Sequence, residues 1–158
     1  MRRPSSGGRA SAHGRLRSWT AVGLLIGAAG VMPAGIADPQ HAWQNWTLNC
    51  QGCHRPDGSG SAATAPPLKG SVARFLAVPG GRDYLVRVPG VATSALSDAD
   101  LAEVLNWLLR RFDPADIPAG FKAYTAAQVG RLRKRPLRLR AASVRRELLA
   151  KAARPASR

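Results

Sequence analysis

Acidic side chains are scarce in this sequence: nine Asp+Glu stand against 24 Lys+Arg, a formal net charge of +15 over 158 residues. Taken whole, that balance points to a nucleic-acid binder. Its distribution removes the inference. Residues 1–37 hold five Arg and no acid, residues 38–130 hold eight of each sign, and residues 131–158 hold eleven cations and only Glu147, which leaves +5, 0 and +10 in turn. Cysteine is scarcer still, and the two residues present exclude a disulfide-dense scaffold and allow at most one bridge. Methionine is limited to Met1 and Met32, and histidine to His13, His41 and His54. What the chain does have is apolar material. The chain is 45% hydrophobic and three of its four Trp lie in the neutral middle, which can build a packed core and so excludes wholesale disorder, and 158 residues are too few for two full-sized domains.

The amino terminus has the layout of a secretory signal peptide. Arg2, Arg3, Arg9, Arg15 and Arg17 precede an apolar run from Trp19 through Val22, Leu24, Leu25, Ile26 and Val31 to about Met32, where Pro33 interrupts it. Small residues at Gly35 and Ala37 predict cleavage between Ala37 and Asp38. The alternative, an uncleaved membrane anchor, fits less well, because glycines break the run and it falls short of the roughly 20 apolar residues that a span needs. Export places the chain in the periplasm. Nucleic acid is then not an expected partner for its basic end, and two thiols so close together are not expected to stay free.

Cys50-Gln51-Gly52-Cys53-His54 has the spacing that attaches a c-type haem. Two thiols three positions apart can each form a thioether to one of the two vinyl groups on a porphyrin edge, and the histidine that follows is then placed under the ring to coordinate iron. Competing readings need a redox dithiol or half of a zinc site. A thioredoxin-like motif calls for a βαβ context, which the sequence does not show, and zinc calls for a second ligand pair. Beyond residue 37 the sequence holds no other Cys and, apart from His54, only His41.

From here the sequence resembles the class I c-type cytochromes, monohaem proteins of the cytochrome c family, over much more than these five residues. The resemblance implies an all-α fold with crossing N- and C-terminal helices, short middle helices and one covalent haem c. It places the N-terminal helix at residues 41 to about 49, a glycine-rich turn at Asp57-Gly58-Ser59-Gly60, a Pro-x-Leu at Pro66-Pro67-Leu68 and the last helix at residues 97 to about 111. Pro66 and Leu68 follow His54 by twelve and fourteen residues, as the family pattern has them. The resemblance also implies roles: His54 as the proximal iron ligand, the Pro66 carbonyl as acceptor for its imidazole N–H, and Arg82 and Tyr84 as hydrogen-bond donors to a haem propionate. Each of the last three residues has a plainer alternative, as a loop proline, a surface arginine and a half-buried tyrosine.

The last helix can be read without the family. Ser97 is a good N-cap, Asp98, Asp100 and Glu103 load the first turns, and Arg110 and Arg111 close the last one, as the helix dipole favours. Leu101, Val104, Leu105 and Leu108 recur at helical steps and make one apolar stripe with Trp107 beside it. By resemblance this face crosses the first helix near Ala42 and Trp46.

Most of the family place a methionine on the far side of the iron, before the last helix. This sequence has no methionine after Met32, and the corresponding loop reads Val86-Arg87-Val88-Pro89-Gly90-Val91-Ala92-Thr93. His41 remains as an axial candidate, against a solvent-facing or capping role. The sixth position is therefore expected to be open, water-bound or filled by a weak or partner-supplied ligand, with a lowered potential. The expected function is that of an exported carrier of single electrons between periplasmic or membrane redox partners, and no catalytic residues are expected. The alternatives are a haem enzyme or small-ligand (gas) binding protein with an open site, and a permanent cytochrome subunit of a dehydrogenase.

The organisation expected is a signal peptide at 1–37, a haem domain at 38–112, a Pro-bearing linker at 113–124 and a basic, partly helical extension at 125–158. Thr125-Ala126-Ala127-Gln128 opens a helix that carries Val129 and Leu132 and is stopped by Pro136, and a second helical stretch at 141 to about 153 carries Val144 and Leu148. The extension is either a solvated, arginine-rich end or a docking surface for an acidic redox enzyme or anionic membrane lipid.

Overall fold

The structure, a computed structural model, describes residues 38–62 and 65–153. The expected signal peptide lies outside the described residues. Local chemistry starts the first helix early. Asp38 stays extended and its carboxylate accepts from the Gln40 amide at 2.9 Å, while Pro39 occupies a first-turn position that needs no N–H partner. Helix α1 therefore spans Pro39–Asn49, beginning before the expected residue 41, and buries Ala42 and Trp46.

The glycine-rich loop leads to a 3₁₀ turn at Ala73–Ala77. Helix α2 (Gln51–His54) is a single turn, α3 covers Gly81–Arg87 and α4 covers Pro89–Ala92. The last of these lies where the sequence suggests only a loop. Val88, preceding a proline, is extended with ψ 143°, and Pro89 then presets φ for a short new turn. Helix α5 spans Asp98–Phe112, with the Ser97 hydroxyl accepting from the Asp100 amide at 3.1 Å. Its apolar stripe buries Leu101, Val104, Leu105 and Leu108, together with Leu109. Helices α1 and α5 pack across each other. Among the described residues there are no strands, only one isolated bridge between Ser61 and Ala65, so the fold is all-α.

Residues beyond Phe112 join the same core. The buried Asp113 carboxylate accepts from the Ala73 amide at 2.7 Å, which ties residue 113 to the middle of the chain. Tyr124 is buried with both backbone groups engaged by Asn106: its amide donates to Asn106 Oδ1 at 2.7 Å and its carbonyl accepts from Asn106 Nδ2 at 3.0 Å. Thr125 caps α6 (Ala126–Arg133), which buries Val129 and Leu132, and α7 (Ala141–Ala152) buries Leu148. Arg133 reaches back from α6 to donate to the carbonyls of Ala92, Ser94 and Leu96 and to pair with Asp98 at 3.1 Å. The apolar residues foreseen in this segment thus pack inward, and its charge stays largely outside.

Two measurements test this packing. Asn106→Ala leaves a buried amide and carbonyl without partners, so denaturant unfolding should show a loss of about 2–4 kcal/mol. A loss below about 1 kcal/mol would mean that Tyr124 is held by its ring alone. The second concerns His41, whose Nδ1 lies 3.0 Å from Glu103 Oε2 and whose Nε2 lies 3.8 Å from Asp100, joining α1 to α5. The Glu103 hydrogen bond, with help from Asp100, raises its pKa above the usual 6.5. A raised pKa stabilises the fold fully below the unfolded value, and the gain is lost as pH rises through the folded one. The melting-temperature difference between wild type and His41→Ala should therefore be larger at about pH 5.5 than at about pH 8.5. A difference independent of pH would refute the charged contact.

Candidate haem attachment site

The attachment motif grows directly out of α1. The Cys50 amide donates to the Trp46 carbonyl at 2.9 Å, so the helix ends on the first thiol. The amides of Cys53 and His54 both return to the Cys50 carbonyl, at 3.2 and 3.1 Å, which winds α2 into one tight turn. Both thiols and the imidazole are thereby carried on a single turn fixed to a buried helix. Arg55 then adopts φ +62°, a left-handed conformation that reverses the chain.

The loop that follows is held on both sides. The Gly60 amide donates to the His54 carbonyl at 2.9 Å, and the amides of Leu68 and Lys69 both donate to the Gly58 carbonyl, at 2.8 and 3.2 Å. Gly58 has φ +71°, and a Cβ there would lie 2.6 Å from the Phe112 ring, so both conformation and space require glycine. This folding brings the Pro66 carbonyl back to His54.

His54 is half-buried, and its Nδ1 is shielded from solvent without a well-formed hydrogen bond. Burial lowers the imidazole pKa, and the nearby Pro66 carbonyl partly offsets the effect. The ring is therefore neutral at physiological pH, the form that can bind a metal. Its ring centroid lies 5.8 Å from that of Trp46, which in turn is 5.9 Å from Trp107 and 5.0 Å from Phe112. Sequence reasoning placed Trp46 on the helix crossing only; its contact with His54 spans eight positions and follows from the turn at Cys50.

The cysteines differ. Cys53 is exposed, whereas Cys50 is half-buried, and burial, reinforced by Cys53, pushes its thiol up to about 11. A thiol held neutral is a poor nucleophile for disulfide exchange and a poor zinc ligand, whereas an uncharged thioether suits the same apolar surroundings. Leu68, Leu76, Val88 and Val91 stay only partly buried against the core, as Cys50 does. On this donor set the residues fit a covalently held haem.

Other sequence candidates have protein partners of their own. The Arg82 guanidinium sits 3.9 Å from the Tyr124 ring centroid and donates to Gln128 Oε1 at 2.8 Å, and its carbonyl accepts from the Tyr124 hydroxyl. Tyr84 is buried against Phe75, ring centroids 4.9 Å apart. His41 is exposed at the α1–α5 crossing, where it forms with Asp100 and Glu103 the one group among the described residues with metal-ligand proximity.

No family model matches the chain. Among curated proteins it is similar to two called cytochrome c-552, both from Thermus thermophilus. The first is 35% identical over 121 residues, spanning 65% of this chain and 82% of that protein. The second is 37% identical over 106 residues, spanning 56% and 81%. With that degree of identity over most of their length, an all-α fold and a Cys50-x-x-Cys53-His54 turn, the chain belongs to the class I c-type cytochromes, whose cofactor is covalently bound haem c.

Proposed function

We infer that this protein is an exported monohaem cytochrome that carries single electrons between periplasmic or membrane-bound redox proteins. The observation that carries the reading is the single turn after α1 that presents Cys50, Cys53 and a neutral, half-buried His54 together. Haem c, when bound, supplies a one-electron iron couple. Cys50 and Cys53 would hold it through thioethers. His54 would bind the iron, and the nearby Pro66 carbonyl would accept a hydrogen bond from the other ring N–H, which would orient the imidazole and raise its basicity. Leu68, anchored through its amide to Gly58, supports the loop that carries Pro66 and covers part of the apolar face. Export follows from the signal-peptide layout of residues 1–37, which also favours a periplasmic location for the mature chain after cleavage near Ala37. Arg82 and Tyr84 contribute by holding α3 to the segment around Tyr124 and to Phe75.

One observation favours a second reading, in which the iron binds a small ligand: the sequence after Met32 contains no methionine to fill the sixth position. Carbon monoxide titration of the reduced protein separates the two, since rapid, tight binding supports the ligand binder and slow or weak binding the electron carrier.

Covalent attachment is tested by Cys50→Ala combined with Cys53→Ala. Exported to the periplasm of a host with haem-attachment machinery, the wild type should show a haem stain that survives denaturing electrophoresis. The double variant should lose that stain and accumulate at least about tenfold less folded protein, because the haem supplies much of a small core's apolar contact. Normal yield of a cooperative, helical apoprotein would contradict this. The sixth position is tested by Val91→Met, which places a thioether on the partly buried edge of α4. The wild-type ferric spectrum should be high-spin or mixed-spin and lack the weak red absorption of a sulfur-to-iron bond. The variant should gain a low-spin component and a higher potential. A fully low-spin wild type would refute the open position.

A further inference from the structure

We propose that the turn between α6 and α7 docks the protein on an anionic phospholipid surface, with Leu139 entering the headgroup boundary and the surrounding arginines binding lipid phosphates. The reading goes beyond electron carriage, and it needs neither the haem nor a redox partner.

Two independent observations carry it. The first is Leu139, which is 99% exposed in a structure whose other apolar residues of this segment pack inward: Leu132, Leu137 and Leu148 are all buried. A large aliphatic side chain fully in water adds nothing to the core, and covering it with hydrocarbon would be favourable. It stands on a short 3₁₀ turn, Arg138–Arg140, whose first residue has φ +47°, a left-handed conformation that an arginine rarely adopts. The turn is anchored from behind, since the Leu137 amide donates to the Arg87 carbonyl at 2.8 Å and the Arg87 Nε donates to the Arg135 carbonyl at 2.7 Å. Leu139 is thus held outward on a fixed base.

The second observation is the charge around it. Lys134, Arg135, Arg138 and Arg140 are all exposed on the same stretch of chain, Arg131 and Arg146 are exposed on the flanking helices, and half-buried Arg87 stands behind. Glu147 is the one acidic residue after residue 130. Asp98, the acid that faces this segment from α5, is taken by Arg133. Among the described residues no other ion pair engages a cation of this segment.

An acidic protein surface would satisfy the arginines but leave a lone projecting leucine to find a matching socket. A bilayer of anionic lipid supplies both partners at once, phosphates for the arginines and acyl carbon for the leucine between Arg138 and Arg140. None of the helices among the described residues is long and apolar enough to cross a membrane.

The test is co-sedimentation of the exported, haem-loaded protein with vesicles of phosphatidylcholine mixed with phosphatidylglycerol, and with phosphatidylcholine alone. Wild type should bind the anionic vesicles and bind neutral ones weakly. Binding should fall as salt rises, because the screening length drops from about 10 Å at 0.1 M to about 3 Å at 1 M. Leu139→Ser should weaken binding about tenfold, and Arg138→Glu with Arg140→Glu at least about tenfold, from the burial of one leucine and the loss of two surface cations. Every protein compared shares the same amino terminus, so the differences report the turn. Replacing a 99% exposed side chain leaves the core untouched, and an unchanged haem spectrum and helical circular dichroism check that point. Equal binding by wild type and both variants, or no binding to anionic vesicles, overturns the proposal. Loss with the arginines but not with Leu139 also overturns it and assigns the face to an acidic protein. A normal haem spectrum beside any of these results leaves the cytochrome reading intact, so the two inferences fail separately.

Discussion

The contact on which the rest of this molecule depends is the burial of Trp46 in the α1–α5 crossing. Its ring meets Trp107 and Phe112 on α5 and His54 beyond the end of its own helix, and its carbonyl receives the Cys50 amide. One residue therefore sets the helix packing and the position of the haem-binding turn. Ala42, one turn earlier on the same face, is small enough to let the two helices approach. Phe112 extends the same constraint to the glycine-rich loop, because its ring occupies the space a side chain at Gly58 would need. Loop, turn and crossing form one packed unit in which a displacement of any part is felt by the imidazole.

The segment beyond Phe112 is a structural part of the protein. Its helices meet α5, α3 and the 3₁₀ turn at Ala73–Ala77, and the stretch between α5 and α6 is fastened at both ends by buried polar groups, Asp113 on the Ala73 amide and Asn106 on Tyr124. Each removes a desolvation cost from backbone that would otherwise be buried unpaired. Arginine serves two purposes here. Arg82 and Arg133 are spent internally, one stacked on Tyr124 and the other on the carbonyls that precede α5, and Arg87 and Arg145 are half-buried, while the other described cations beyond Phe112 face solvent.

What the sequence made legible was local chemistry. The attachment motif, the Ser97 and Thr125 caps, the α5 stripe and the inward set Val129, Leu132 and Leu148 all follow from spacing over a few residues, and each appears where that spacing puts it. The proline shift at α4 lay within reach too, since Val88-Pro89 carries the extended-then-helical signal. Illegible were the contacts between distant positions. Asn106 reads as an ordinary helix residue, and nothing near it in the chain shows that its amide will clamp Tyr124, eighteen residues away. Arg133 looks like one more cation in a basic tail until the fold brings four acceptors to it. Arginines of identical local appearance divide into internal fasteners and exposed charge, and that division is made by tertiary structure alone.

The same fasteners bear on the segment that lacks a methionine. Residues 87–98 are held by the extension at two places: Arg87 exchanges hydrogen bonds with Arg135 and Leu137, and Arg133 gathers the carbonyls of Ala92, Ser94 and Leu96. In a cytochrome with an axial sulfur, the metal bond itself anchors this part of the chain. Here hydrogen bonds from α6 and from the turn after it do so, and the side chains at the core edge, Val88 and Val91, are apolar and supply no metal donor. Charge-assisted hydrogen bonds to buried carbonyls are strong and directional. A segment fastened in this way has little freedom to rearrange. The basic extension thus fastens this segment through directional hydrogen bonds of the protein itself.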